Sequence, residues 1–193
     1  MVPRIPVFLL LAVTAAAFEG TDVRVDCFPE PGATKEACQS RGCNWDESSV
    51  TGVPWCYYPH ESGFKVSKQS DGYVQLVPGF ENPYGENISP LNLTYSSNGK
   101  TLLVTIGNND RFVPPLGLPQ EASTSSETLD FEVTKVPNSD FFAFTVKRRS
   151  NNVAIWDTRI GGMQFSDKFI QIATYLPSKN LYGFGDHVHK KIK

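Results

Sequence analysis

Cys27, Cys38, Cys43 and Cys56 fall within a thirty-residue stretch of a 193-residue chain that has no other cysteine. A segment that short cannot bury enough apolar surface to hold itself together, so in an oxidising compartment it has to be stapled. Each bridge contributes roughly 2–4 kcal/mol. Zinc is the competing use of four cysteines, but structural sites favour paired short spacings such as C-x2-C. Here the gaps are ten, four and twelve residues, which points away from a metal. Two disulfides are expected, and spacing alone leaves three pairings open.

The compartment can be read independently. Residues 1–17 give Met1-Val2-Pro3-Arg4, an apolar run from Ile5 to Val13, then Thr14-Ala15-Ala16-Ala17. One cation, a short greasy stretch and a small-x-small end predict a secretory signal peptide cleaved after Ala17. The run falls short of the ~20 apolar residues that cross a bilayer, and no other stretch approaches that length, so no membrane span is expected. Asn87-Ile88-Ser89 and Asn92-Leu93-Thr94 are N-glycosylation sequons in a polar, turn-rich stretch. Pro90, just after the first, lowers its expected use. With 18 basic and 20 acidic residues the net charge is -2, too little field to grip a polyanion, so nucleic acid is not an expected partner.

From Gly63 onward the apolar residues alternate instead of following a helical period. Ser97-Asn98-Gly99-Lys100 predicts a hairpin turn leading into Thr101–Ile106, where Leu102, Val104 and Ile106 share a face. Leu129, Phe131 and Val133 alternate with polar residues; Pro137-Asn138-Ser139-Asp140 turns the chain, and Phe142, Phe144 and Val146 form the buried set of the return strand. Ser150-Asn151-Asn152 precedes a further strand, Val153-Ala154-Ile155-Trp156, and Ile170 with Ile172 mark one more. Residues 114–128, rich in Pro, Ser, Thr and Glu, read as a long exposed loop. The fold class is therefore mainly β: a small disulfide-stapled module followed by an antiparallel β-sandwich.

Two resemblances sharpen this. Arg24-Val25-Asp26-Cys27, Cys38-Gln39-Ser40-Arg41-Gly42-Cys43-Asn44-Trp45 and Val53-Pro54-Trp55-Cys56-Tyr57-Tyr58-Pro59 resemble a trefoil domain over residues 24–60. That family has six cysteines paired one with five, two with four and three with six. Here the first is absent and the fifth is Asn44, partners of a single bridge, so the resemblance implies Cys27–Cys43 and Cys38–Cys56 and a first loop without its staple. Some trefoils bind mucin-type sugars against a tryptophan, which makes Trp55 the candidate sugar-binding residue, since an aromatic face suits the C–H patches of a pyranose. The plainer reading is that Trp55 and Trp45 cover the small core beside the disulfides. The acidic residue used by glycan-binding trefoils falls at Val23, with Asp22 one place away.

Residues 63–193 resemble the N-terminal, galactose-mutarotase-like sandwich of glycoside hydrolase family 31, the α-glucosidases. The resemblance is carried by Phe144-Thr145-Val146-Lys147-Arg148, Trp156-Asp157-Thr158, Ile160-Gly161-Gly162-Met163-Gln164-Phe165-Ser166-Asp167, Gln171-Ile172-Ala173-Thr174, Leu176-Pro177-Ser178 and Leu181-Tyr182-Gly183-Phe184-Gly185-Asp186-His187, with Asp186 standing where the family usually has Glu. In that family a trefoil precedes the sandwich, and two carboxylates about 5–5.5 Å apart on a later barrel perform retaining hydrolysis. A barrel needs about 250 residues, so the resemblance implies that neither catalytic carboxylate lies in this chain, and no catalytic residue is assigned.

Asp186, His187 and His189 form the one His/carboxylate cluster. A zinc site built on such close ligands needs a further distant one, so no metal is expected there. No phosphate loop, nucleophile elbow or spare thiol is present, and no cofactor is expected. The partners implied are an α-glucan, oligosaccharide or other glycan, and the catalytic barrel of a longer form. The destination expected is secreted or lumenal, in the extracellular space or the lysosome; without an anchor and Ser/Thr-rich stalk, a brush-border arrangement is not expected. A stand-alone carbohydrate-binding or interaction protein is the alternative.

Overall fold

A computed structural model describes residues 23–98, 100–108, 115, 127–178 and 180. The expected signal peptide, most of the 114–128 loop and the Asp186, His187, His189 cluster lie outside the described residues.

The stapled module contains one helix, α1 (Lys35–Ser40), and a two-strand ribbon, β1 (Asn44–Trp45) with β2 (Cys56–Tyr57). Thr34 caps the helix, its Oγ1 accepting from the Ala37 N–H at 3.2 Å. The helix stops where Gly42 takes φ +73°, the left-handed conformation that closes a C-terminus cheaply only for glycine. Disulfides join Cys27 to Cys43 and Cys38 to Cys56, and all four cysteines are buried with Val25 and Tyr58.

The larger unit is two antiparallel sheets. The first runs in the order β3 (Phe64–Ser70), β4 (Tyr73–Pro78), β5 (Leu91–Asn98), β6 (Thr101–Gly107); the second is β7 (Leu129–Lys135), β8 (Phe142–Arg148), β9 (Ala154–Asp157). A small ribbon pairs β10 (Gln164–Phe165) with β11 (Ile170–Gln171). Val74, Leu76, Leu91 and Leu93 from the first sheet and Phe142, Phe144 and Val146 from the second share one core. Tyr95 stacks on Phe131 at 4.2 Å and Phe131 on Phe144 at 5.1 Å, so aromatics cross between the sheets.

Several expectations shift in detail. The β5–β6 register sets Asn98 opposite Thr101, moving the hairpin one residue beyond the expected Asn98-Gly99 centre. Ala143 and Thr145 are buried as well as Phe142, Phe144 and Val146, because both faces of β8 are covered. Val153 lies outside β9 and is exposed, and Ile170 sits on the two-residue β11 with half its surface in solvent. Apolar character alone predicts longer strands for both, and it does not fix which side of a ribbon is covered.

The two modules meet along a shared seam. Phe80, Ile160 and Ala173 pack on the stapled core. The Tyr84 hydroxyl accepts from Arg41 Nη1 at 2.5 Å and donates to the Cys27 carbonyl at 2.8 Å, while Gln171 Nε2 donates to the Asp26 carbonyl at 2.9 Å. Gly162, at φ +72°, lies so close that a Cβ there would stand 2.8 Å from a Val25 methyl.

Candidate functional site

Trp55 immediately precedes β2, whose Cys56 is tied to Cys38, so the bridge fixes where the indole emerges. Its Nε1 donates to the Ser48 carbonyl at 3.0 Å, and its ring meets Trp45 edge-on at 5.8 Å. Trp45 packs against the cysteine core, whereas Trp55 stands outside that cluster and is 43% exposed. Spacing alone does not tell the two indoles apart, since both flank cysteines. The charged residues near Trp55 include Asp46, whose backbone N–H donates to the Trp55 carbonyl at 2.9 Å, and exposed Glu47, next to the Ser48 that takes the indole bond. Val23 is exposed and apolar, Asp22 lies outside the described residues, and Asp46 is paired with Arg24 at 2.6 Å.

Arg24 is the residue that sequence reading missed. Its Nη1 donates to the Asp46 carbonyl at 2.6 Å and the Pro54 carbonyl at 3.2 Å, and its guanidinium lies 4.5 Å over the Tyr57 ring. This anchors the N-terminal segment to the Asp46 and Pro54 backbone of the stapled module. An arginine just upstream of the first cysteine was the available signal.

A cleft of about 1230 Å³ opens at the seam, between Arg41 and Gly42 on one side and the connection from Pro78 to Asn87 on the other. It shares no lining residue with the surroundings of Trp55. Arg41 is spent within it: it donates to Glu30 at 3.0 Å and lies 3.6 Å over the Phe28 ring. The hydrogen bonds from Arg41 hold the Glu30 carboxyl below the usual range, and burial followed by the Glu30 contact pushes the Tyr84 phenol up.

The two sequons are positioned differently. Asn87 Nδ2 donates to the Phe80 carbonyl at 2.8 Å, and its Oδ1 is buried. Asn92 lies on β5 with its Oδ1 accepting from the Tyr73 hydroxyl at 2.8 Å.

The sulfurs of Cys27, Cys43 and Cys56 lie within 4.8 Å of one another, but all belong to disulfides and offer no thiolate to a metal. Among the described residues, every carboxyl with a displaced pKa is displaced downward. Arg149 lowers Asp130, Lys147 lowers Glu132 and Lys135 lowers Asp140; at Asp157 burial pulls upward but the Arg159 hydrogen bonds outweigh it. Acid–base cleavage of a glycoside calls for one carboxyl held up so that it stays protonated.

A trefoil (P-type) domain family model matches residues 20–59. Over 186 residues, 91% of this chain and 10% of the relative, the sequence is 33% identical to intestinal sucrase-isomaltase of Oryctolagus cuniculus. Over 183 residues, 89% of this chain and 10% of the relative, it is 32% identical to the human counterpart. Lysosomal alpha-glucosidase of Bos taurus is 29% identical over 182 residues, 86% of this chain and 19% of the relative. The chain therefore spans about a tenth of the intestinal relatives and less than a fifth of the lysosomal one. Among the described residues no helix is long and apolar enough to cross a membrane.

Proposed function

We infer that this chain, which carries a trefoil (P-type) domain and is homologous to the N-terminal region of the family 31 α-glucosidases, is the non-catalytic N-terminal scaffold of a secretory-pathway α-glucosidase. The observation that carries the reading is collinearity: a stapled trefoil followed by antiparallel sheets, matched along 86–91% of the chain by intestinal and lysosomal enzymes of that kind. In a longer form the two modules brace a catalytic barrel, and hydrolysis of α-linked glucosides belongs to the whole. Disulfides and sequons support a lumenal or extracellular setting. The purified chain is expected to release no glucose from maltose; turnover above background that disappears when one carboxylate is replaced by its amide overturns the reading.

The exposure of Trp55 favours a second reading, a carbohydrate-binding module. An indole 43% exposed is a platform for a sugar ring. Glycan-array binding that Trp55→Ala abolishes supports it, and no binding to any glycan removes it.

A further inference from the structure

We propose that Asn92, and not Asn87, carries an N-linked oligosaccharide, and that the outer face of the β3–β6 sheet is consequently a solvent face of the molecule. The assignment rests on the lumenal reading above.

Strand alternation puts Asn92 and Thr94, the two chemically required residues of the sequon, on one side of β5. They lie opposite Gln75 and Tyr73 of β4, while Leu91 and Leu93 are fully buried on the other side. Thr94 is exposed. The Asn92 carboxamide is held by its oxygen: the Tyr73 hydroxyl donates to Oδ1 at 2.8 Å and itself accepts from Gln75 Nε2 at 3.3 Å. Its nitrogen, the atom that takes the sugar, makes no hydrogen bond among the described residues and is not a buried unpartnered atom.

At Asn87 the same nitrogen is occupied. It donates to the Phe80 carbonyl at 2.8 Å, the Oδ1 beside it has no exposed surface, and the backbone bridges to Ser166, itself 1% exposed. Phe80 packs on the stapled core, so a sugar forced in at Asn87 would disturb the bond that sets the seam. Asn92 imposes no such conflict.

The modification uses an oligosaccharide carried on a lipid diphosphate, supplied by a lumenal transferase. The bond from the sugar C1 to the diphosphate oxygen breaks, and the lipid diphosphate leaves with the electron pair. C1 bonds to Nδ2, and the displaced proton goes to a base of the transferase. The product is still an amide with one N–H, so the acceptor oxygen keeps its bond to Tyr73 and β5 keeps its register. A bulky hydrated group on this side then excludes the outer sheet face from any close-packed interface.

The test expresses the full chain, N-terminal residues included, in cultured secretory cells. Intact microsomes are read for protease protection of the chain, and chain from microsomes and medium for a mobility shift that peptide N-glycosidase removes. Both sequons lie on one tryptic peptide, Gln69–Lys100, so fragmentation mass spectrometry places the resulting Asn-to-Asp conversion. One glycan is expected, lost in Asn92→Gln and in Thr94→Ala and kept in Asn87→Gln. A protected chain without glycan, a shift that survives Asn92→Gln, or two glycans on the folded chain overturns the assignment. A chain left open to protease overturns the lumenal reading, and the assignment with it.

Discussion

Arg24 pins the start of the stapled module with side-chain hydrogen bonds. Its planar fork reaches two carbonyls and a carboxylate at once, with only 10% of the side chain in solvent. The pairing with exposed Asp46 contributes little by itself; the carbonyl contacts, which an ammonium cannot reproduce in one geometry, contribute more. Arg24→Lys is therefore expected to lower stability by about 1–2 kcal/mol, read from denaturant unfolding followed by tryptophan fluorescence. Asp157 supplies a pH dependence. Its folded pKa lies below the ordinary 3.8, because the Arg159 bonds at 2.9 and 2.6 Å outweigh its burial. A depressed carboxyl adds stability above its unfolded pKa and loses it as pH falls through the folded one. Asp157→Asn should cost about 1–3 kcal/mol at neutral pH, and its urea midpoint should fall less than that of the wild type below pH ~4. Equal losses in both proteins would remove Asp157 from the acid limb.

At the scale of elements, β8 is the keystone, because its residues are buried on both faces and it pairs with β7 and β9. Phe144 touches both Phe131 and Phe142, and its backbone N–H donates to the buried Thr158 hydroxyl at 2.8 Å. Phe144→Ala should cost about 3–5 kcal/mol in thermal or denaturant unfolding, with a cavity left between the sheets; a loss below about 1 kcal/mol would mean the core collapses around the gap. β8 was legible because Phe142, Phe144 and Val146 repeat with period two beside a turn-forming Asn138 at φ 58°. Other elements were not. The β3–β4 hairpin turns at Asp71-Gly72, an Asp-Gly signal obscured because a bulge after Val66 and the polar run Ser67–Ser70 end the alternation that Phe64 and Val66 begin. α1 is six residues long, too short to show a helical period. The candidate site was half legible: Trp55 follows from resemblance, but its exposure depends on which tryptophan the Cys38–Cys56 bridge turns inward, and spacing does not encode that.

For the whole molecule, the order of modules was readable while the seam was not, since its bonds join Arg41 to Tyr84 across 43 residues and Asp26 to Gln171 across 145. The segment after β10 carries exposed apolar residues. Ile170, Tyr175 and Leu176 are 52%, 41% and 55% exposed, on a segment that Tyr175 ties to β9 through its bridge to Asp157. Ile172, between them in sequence, lines an apolar groove of about 460 Å³ with Val104, Ile106, Ile155 and Trp156. Apolar surface grouped in this way associates unless something covers it, and in the scaffold reading the remainder of a longer protein does so. The chain by itself should bind a hydrophobic dye and sediment with a concentration-dependent mass. Ile170→Asp combined with Leu176→Asp should weaken both while moving stability by no more than about 0.5 kcal/mol per site, as exposed substitutions do. A dye-silent monomer at high concentration would mean that this end is already a finished surface, and would leave the scaffold reading without the face it needs.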